Sequence, residues 1–407
     1  MATPTADTYT IPTGRIAMQA GRGTPYVGTP AWRTAMPPHT WAVVPVSNSL
    51  ASVNPALDAS VNPSGAGINS PWHGNIGHRG IIDAWGGFVP SQDDGRVWMP
   101  LGGGHADYAG NEAYVIDFMA EAPRWRRISK PTGAIGGPPP PYYTPLIDKF
   151  RYPDGRLAAD HIYNNVIHIP GRGLFFGQCG GAAYPGEPYP DTKQTYWIGM
   201  EDGAHTLFND WTAARGNEAS GNGLAGVCYD PLRNAVWVFG VNGVVRPFKI
   251  DMATGATVGV GVIDSWVGGH CKPIYVPGHD VIYLPGAAYR LNPATGARTI
   301  QSEIGSRAVG ATTNGSEGTA WVPSLGGMAV WSAHSNTTAI SLLTPPVSNP
   351  MTNPWTWSVL PLSNSNTVTP TAHNYNGVFG KFDYLPALKG FYCQANYADS
   401  MYFYATE

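Results

Sequence analysis

A proline-centred pattern that occurs six times places the strongest limit on how this chain can fold. Each copy reads as a short strand, a turn that holds a proline and usually Gly, Asn or Asp, and a second apolar strand. This is the sequence pattern of a β-hairpin. The steps from Pro231 to Pro277 and from Pro277 to Pro323 are both 46 residues, which indicates one repeated unit. The six prolines are Pro90, Pro170, Pro231, Pro277, Pro323 and Pro386.

Further strands follow these hairpins. Third strands are expected at 112–118, 194–200, 244–251 and 287–292. A fourth strand often begins near a tryptophan, as in PRWRRIS and WTWSVLPLS. Four strands in a unit that recurs six times predict an all-β chain, a six-bladed β-propeller of four-stranded antiparallel blades.

Two nearly identical segments predict how the ring of blades closes. Residues 40–49 read TWAVVPVSNS and residues 356–365 read TWSVLPLSNS, but the first copy precedes every hairpin. The sixth unit ends with its third strand, MYFYATE. We therefore expect the N-terminal strand around Trp41 to complete blade six, because this removes the open edge of the last sheet. A chance similarity between two short strands is the alternative.

Composition agrees with an all-β chain and argues against several classes of protein. Only 13% of the residues are charged, and Gly numbers 51 and Pro 38, which favours strands joined by turns over helices. A net charge of -3 without a run of Lys or Arg offers no footprint for nucleic acid. We expect no signal peptide and no membrane span, because no apolar run has the required length and no basic segment precedes one.

The cysteines are widely spaced and form no CxxC motif. Free thiols in a reducing compartment are therefore expected, and no disulfide framework is predicted. The four residues are Cys179, Cys228, Cys271 and Cys393.

Two segments differ in composition from the repeat. Residues 1–37 are rich in Thr, Pro, Gly and Ala and are expected to form an extended arm, while residues 38–407 form the propeller. Residues 130–157 are a Pro-rich insertion, predicted to be a polyproline II excursion that makes contacts with partners. A disordered insertion without contacts is the alternative. The predicted interaction residues are Pro138, Pro141, Tyr142 and Tyr143.

Four histidines precede predicted first strands, which line the central channel of a propeller. Imidazoles that converge on the axis could bind a transition metal, and Cys271 after His270 adds a soft ligand. The alternative is that the ring nitrogens bond to the backbone of neighbouring blades. Because spacing does not show that they approach one metal ion, neither a metal nor a cofactor is assigned. The channel-lining candidates are His78, His161, His270 and His373.

The segment GGGHADYAGNE, residues 102–112, combines glycines with a histidine and acidic residues. A strand and not a helix follows it, so it lacks the helix N-terminus that a phosphate-binding loop needs. His105 and Asp107 are expected to hold a turn in place, with an acid–base pair as the alternative. A glycosidase pair is a further alternative, although the sequence does not set the separation of the carboxylates. No catalytic residue is assigned. The clustered carboxylates are Asp93, Asp94, Asp107 and Glu112.

The succession of VWMPLGGGHADYAGNEAYVIDF, YDPLRNAVWVFG and TWSVLPLSNS resembles kelch-type, galactose-oxidase-like β-propellers over residues 40–407. Within that class, GGGHADYAGNE and YPDGRLAADHIYNN are similar to versions carried by tailed bacteriophages. Some short-tailed phages use a propeller in the tubular tail nozzle. The resemblance implies a virion protein that is assembled in the cytoplasm of the bacterial host. The implied partners are other virion proteins, copies of the chain itself and, at the host surface, a glycan.

The enzymatic branch of this family is a radical copper oxidase, which needs a Cys crosslinked to a Tyr, a second Tyr and two His at the metal. Cys228 precedes Tyr229, but no Tyr-His neighbour pair occurs and no further domain follows blade six to supply the other His. A non-enzymatic structural protein that uses its propeller as an interaction scaffold is the preferred interpretation. The alternatives are a propeller that binds a carbohydrate or other surface ligand, and a metal-dependent oxidase or glycan-active enzyme.

Overall fold

The computed structural model is a β-propeller whose six sheets stand around a central axis. First strands of neighbouring blades contact one another all the way round the ring, so each first strand is the innermost of its sheet. The predicted six-bladed, all-β fold is confirmed. The structure describes residues 28–58, 76–84, 86–101, 107–108, 110–132, 151–152, 154–159, 162–177, 194–210, 226–239, 247–259, 272–285, 289–308, 317–332, 337–372 and 377–407.

Each blade is named here by its place along the chain, and its strands run from the axis outwards. Blade one contains Val89–Pro90, Arg96–Met99, Tyr114–Asp117 and Trp125–Arg127. Blade two contains Val166–Ile169, Gly173–Phe176, Gln194–Ile198 and His205–Asp210. Blade three contains Gly226–Asp230, Ala235–Phe239, Phe248–Asp251 and Thr257–Gly259. Blade four contains Ile274–Val276, Val281–Tyr283, Tyr289–Leu291 and Arg298–Ile300. Blade five contains Gly318–Val322, Gly327–Trp331, Ser341–Thr344 and Trp355–Val359. Blade six contains Phe382–Leu385, Gly390–Cys393, Tyr402–Ala405 and Trp41–Val43.

Blade six is completed by the N-terminal strand Trp41–Val43, as the repeated segment predicts. This strand pairs antiparallel with Tyr402–Ala405, and Trp41 lies opposite Tyr404. The indole of Trp41 is buried, donates to the carbonyl oxygen of Thr338 at 3.0 Å and lies with its ring centroid 5.3 Å from that of Tyr404. Closure therefore joins both ends of the described chain through one well-packed strand.

Blade five carries a fifth strand that the repeat does not predict. Glu303–Gly305 pairs in parallel with Trp355–Val359, on the outer edge of the blade. Arg290 of blade four holds this junction, since its guanidinium donates to the carbonyl oxygens of Ser302, Pro350 and Asn353. A buried guanidinium needs several acceptors, and the crossing between two blades supplies them.

The proline turns between first and second strands share one backbone requirement. The last turn residue has positive φ, which is 45° at Asn234, 50° at Asp280, 58° at Gly326 and 50° at Lys389. Gly, Asn and Asp tolerate this conformation best, which explains the residue types that follow the prolines. Lys389 is the exception to the predicted pattern.

First strands approach so closely that glycine is required where they begin. A Cβ atom at Gly380 would stand 2.1 Å from the carbonyl oxygen of Phe88, and one at Gly87 would stand 2.3 Å from that of Tyr163. These contacts link blade six to blade one and blade one to blade two. The glycines therefore set how narrow the ring is at its axis.

In the described residues, helical structure is confined to short segments outside the sheets. Among the described residues, none of the helices has the length and apolar character that crossing a membrane requires. The α-helical turns are Ala31–Thr34 and Gly80–Asp83, and the 3-10 turns are Leu50–Val53, Pro55–Leu57, Gly77–Arg79, Pro323–Leu325, Phe379–Lys381 and Pro386–Leu388.

Part of the predicted arm is docked on the propeller. Trp32 packs on Phe403 with ring centroids 5.5 Å apart, and its indole donates to the carbonyl oxygen of Ala120 at 3.1 Å. Arg33 is 6% exposed and donates to the carbonyl oxygens of Leu388 and Glu407. Residues 28–37 thus bridge blades six and one in a helical turn. Residues 1–27 lie outside the described residues, and their extended form stays a prediction.

Replacing Trp41 tests the closure. Trp41→Ala removes a buried indole and its hydrogen bond to Thr338, so we expect a loss of about 3–5 kcal/mol in the free energy of unfolding. Val43→Ala is the matched control on the same strand, because Val43 is 50% exposed, and it should change stability by less than about 1 kcal/mol. Urea unfolding followed by tryptophan fluorescence measures both. Equal losses would contradict the role given to Trp41.

Candidate functional site

The two faces of the propeller differ in the length of their connections. Turns between first and second strands are short, and the longest spans residues 91–95. Every connection of more than ten residues leaves the sheets at the opposite face, for example 100–113, 128–165 and 177–193, whereas the longest connection at the face of the short turns is 345–354. We call this face, where second strands end and first strands begin, the loop face, and the other the turn face. Long connections on one side of a rigid scaffold are where binding sites usually form.

The sequence-predicted site residues belong to segments that leave and rejoin the sheets at the loop face. His161, His270 and His373 are in segments that lead into first strands, as are Pro138, Pro141, Tyr142 and Tyr143. These residues and His105 lie outside the described residues. Their roles as channel-lining or interaction residues stay predictions.

His78 is described and lies between blades six and one. Its Nδ1 is 2.5 Å from the hydroxyl of Tyr397, and its Nε2 is 2.7 Å from the hydroxyl of Tyr114. The expected structural partners were backbone groups of neighbouring blades, and the observed partners are tyrosine side chains. Both ring nitrogens are thereby used within the protein.

The hydroxyl of Tyr114 gives this chain of hydrogen bonds a direction. It donates to Oε1 of Glu112 at 2.5 Å, so Nε2 of His78 carries the hydrogen towards Tyr114 and Nδ1 accepts from Tyr397. Burial, with a smaller contribution from the nearby Arg127, lowers the pKa of His78 to about 3. The imidazole is therefore neutral, and the bonds run from Tyr397 through His78 and Tyr114 to Glu112.

Glu112 ends this network inside the protein. Its Oε1 also accepts from the hydroxyl of Tyr108 at 2.7 Å, whereas its Oε2 is buried without a hydrogen-bond partner. Burial raises the pKa of Glu112, and the bonds from Tyr114 and Tyr108 oppose the shift. Burial between the blades therefore favours the protonated form of the Glu112 carboxyl relative to water.

The helical segment 77–83 is wedged between the same two blades. Lys381 of blade six is fully buried, and its amine donates to the carbonyl oxygen of Ile82 at 2.9 Å. Burial lowers the pKa of Lys381 to about 7, while Asp83 raises it. Asp83 accepts from the backbone N–H of Tyr397 at 2.8 Å. Polar groups of blade six therefore hold the segment from one side, while His78 holds Tyr114 on the other.

A second polar cluster joins the first strands of the consecutive blades four, five and six. Lys272, just before blade four, forms an ion pair with Asp383 of blade six, and donates to the carbonyl oxygen of Thr319 in blade five at 2.8 Å. Burial raises the pKa of Asp383, and Lys272 opposes the shift. Lys272 directly follows the candidate residues His270 and Cys271 in the sequence. The ion pair links three blades at the level where their first strands begin.

Aromatic side chains of blades two and six meet at the same level, beside blade one. Tyr163 of blade two and Phe379 of blade six lie with ring centroids 5.1 Å apart. Both residues have positive φ, 39° and 49°, which is strained for aromatic side chains. Contacts between blades two and six, and between four and six, narrow this end of the channel.

Asp93 and Asp94 do not form a glycosidase pair with Glu112. Asp93 and Asp94 lie in the first turn of blade one, at the turn face, where Asp94 pairs with Arg96 at 2.6 Å. Glu112 lies at the other end of the sheet, and the intervening strand alone spans roughly 10 Å. This exceeds the largest separation of about 9.5 Å that such a pair allows. Asp107 serves the loop through its backbone, which accepts from Gly77 at 3.1 Å.

Within the part of the chain that the structure describes, no three His, Cys, Asp or Glu side chains converge to hold a metal. Cys228 and Cys393 are buried thiols, and burial raises the pKa of Cys393. Cys179 and Cys271 lie outside the described residues.

Sequence reasoning identified His78 and Glu112 but not the network that joins them. Their partners are tyrosines from other strands, and only the packing of blade six on blade one brings these together. Lys272 and Lys381 carried one missed signal, since each stands at the start of a predicted first strand in a chain with few charged residues.

The buried histidine makes stability depend on pH. The pKa of His78 is about 3 in the folded state and near 6.5 when unfolded, so the unfolded state binds more protons between these values. As pH falls through this window, we expect His78 to lower the free energy of unfolding by about 1.4 kcal/mol per pH unit. His78→Gln, which keeps a neutral donor and acceptor, should remove that contribution. Urea unfolding at several pH values compares the slopes, and identical slopes would contradict the assignment.

The buried amine of Lys381 makes stability depend on pH at the alkaline end of the range. Its pKa is about 7 in the folded state against 10.5 in the unfolded state, so stability should rise as pH increases between these values. Lys381→Met retains the volume without the amine and should flatten this rise. Tyrosines that also titrate near this range are present in both the wild type and the Lys381→Met variant, so their effect cancels when the two free energies of unfolding are subtracted. The free energies of unfolding near pH 7 and near pH 10 measure the effect, and a variant that follows the wild type would refute it.

Comparison with known proteins yields fold-level similarity alone. No protein-family model matches the chain, and no curated protein matches its sequence. An auxiliary nutrient binding protein from Bacteroides thetaiotaomicron superposes with a TM-score of 0.43 at 11% identity, over 79% of this chain and 68% of that one. The GH74 enzyme of Niastella koreensis gives 0.38 at 13% identity, over 81% and 47%. The extracellular domain of a proposed one-component system from B. thetaiotaomicron gives 0.39 at 11% identity, over 76% of this chain and only 31% of its own.

Proposed function

We propose that this chain is a non-enzymatic scaffold that binds proteins through the loop face of its propeller, as a structural component of a tailed-phage virion. The observation that carries the proposal is the difference between the two faces. Every connection of more than ten residues leaves the sheets at the loop face, whereas the turns between first and second strands have at most five residues and the longest connection at the turn face is 345–354. A rigid ring with one elaborated face is suited to present a binding surface.

The chemistry-bearing side chains of the described loop face support a scaffold role. His78, Glu112 and Lys381 make hydrogen bonds between blades and are almost completely buried. The Lys272–Asp383 ion pair connects blades four and six. These groups hold the ring together at the face where the loops emerge, which keeps the positions of the loop ends constant.

The virion setting and its partners come from the sequence resemblance. GGGHADYAGNE and YPDGRLAADHIYNN both belong to the loop face, since they lie between second and third strands and before a first strand. The proposed partners are copies of this chain and other virion proteins, within a particle assembled in the bacterial cytoplasm. A glycan of the host surface is the competing ligand.

Mass photometry of the full chain tests the proposal. We expect a discrete oligomer, and a variant with residues 138–143 replaced by Gly and Ser should weaken association at least about tenfold, because interface aromatics often contribute 1–2 kcal/mol or more each. The control is Leu232→Ser on the turn face, where the side chain is 62% exposed, and it should leave association unchanged.

Other outcomes identify the competing functions. A monomer that binds a glycan array saturably would favour the surface-ligand alternative, and a monomer with stoichiometric bound metal would favour the enzyme. Truncations that test the N-terminal arm should end at residue 27, because Trp32 and Arg33 are part of the folded ring.

A further inference from the structure

The N-terminal segment 28–58 holds the ring together from outside. We call this segment the clasp. It begins with the helical turn that contains Arg33, continues as the closing strand Trp41–Val43, and ends in the 3-10 turns at Leu50–Val53 and Pro55–Leu57. The hydrogen bonds and the ion pair that it makes outside itself reach residues 120–127 and 338–407, so these contacts are all distant in sequence.

The clasp contacts three consecutive blades. In blade six its strand pairs with Tyr402–Ala405. Towards blade five, the backbone N–H of Trp41 donates to Oδ1 of Asn366 at 2.7 Å. Towards blade one, Asn48 exchanges two hydrogen bonds with the backbone of Trp125, at 2.7 and 3.0 Å. An ion pair between Asp58 and Arg127 ends the contact with blade one.

One covalent connection joins the clasp to the rest of the propeller. It runs through residues 59–75, which contain no Asp, Glu, Lys or Arg and several Gly, Ser, Asn and Pro. These residues lie outside the described part of the chain. Their number permits a span of up to roughly 60 Å. The radius of gyration of a domain this large is only about 21 Å, so the clasp can reach a neighbouring copy of the chain.

We propose that the clasp of one copy completes blade six of a second copy when the chains assemble. The proposal rests on the proposed scaffold function, because it names a second copy of this chain as the partner. Both arrangements contain the same strand pairing, the same Trp41 contacts and the same ion pair to Arg127. Exchange therefore keeps every clasp contact and adds a link between subunits.

Local concentration decides between the two arrangements. A clasp on a short linker has an effective concentration of about millimolar at its own blade six, so dilute monomers close on themselves. Copies held side by side in an assembly reach a comparable concentration at one another's blades. Until a clasp docks, the edge of Tyr402–Ala405 is open to the clasp of either chain.

Cysteine pairs across the closing strand distinguish the arrangements. Val43 lies opposite Tyr402, and Val43 is 50% exposed, so cysteines there can be oxidised. Val43→Cys and Tyr402→Cys are placed on separate full-length chains with different mass tags and co-expressed, with Cys179 and Cys271 replaced by Ser. A disulfide between the two chains can form at this register only through exchange. The double variant on one chain is the control for disulfide geometry.

We expect a covalent pair of the two tagged chains in the oligomeric fraction, with a disulfide between the cysteines introduced at positions 43 and 402 identified by peptide mass spectrometry. An oligomer without this linkage, while the double variant forms its internal disulfide, would overturn the exchange and leave the scaffold function standing. A chain that is monomeric throughout, with only internal disulfides in the double variant, would overturn both.

Discussion

The antiparallel pairing of Trp41–Val43 with Tyr402–Ala405 is the interaction on which the rest of the structure depends. A propeller is stable only when each blade packs on two neighbours, and this requires the ring to close. The strand that closes it comes from the other end of the chain, so its position is held by packing of the Trp41 indole and by the hydrogen bond from Arg33 to the carbonyl oxygen of Glu407. Because the closing strand is only three residues long, side-chain contacts contribute much of its attachment.

Polar groups between blades form a second constraint. His78 and Lys381 make hydrogen bonds between blades six and one, and the ion pair of Lys272 with Asp383 joins blades four and six. Arg290 holds the junction of blades four and five. Such groups are costly to bury without partners, so each of them restricts how far neighbouring blades can shift. The pKa of the His78 imidazole is lowered and that of the Glu112 carboxyl is raised, so burial favours the neutral form of both groups.

The proposed scaffold function and the proposed exchange of the clasp use two different surfaces. Binding at the loop face uses the long connections and leaves ring closure unaffected. The proposed exchange uses the outer edges of blades six and one, where the clasp pairs with Tyr402–Ala405 and Asp58 meets Arg127. In the proposed assembly, copies of the chain exchange the clasp, and the loop face contacts neighbouring copies and other virion proteins.

The sequence by itself determined the blade count, the four-strand unit and the identity of the closing strand. These follow from local chemistry, because a proline turn that ends in a left-handed residue recurs wherever a hairpin does, and the Trp41 segment repeats the outer strand of blade five. Buried histidine and glutamate were visible as residues, but their roles were not. The tertiary structure alone decided that His78 meets Tyr397 and Tyr114, that Lys272 reaches Asp383, and that Glu303–Gly305 forms a fifth strand. These contacts join residues far apart in the chain, and their geometry depends on how closely the first strands approach the axis, which no local pattern encodes.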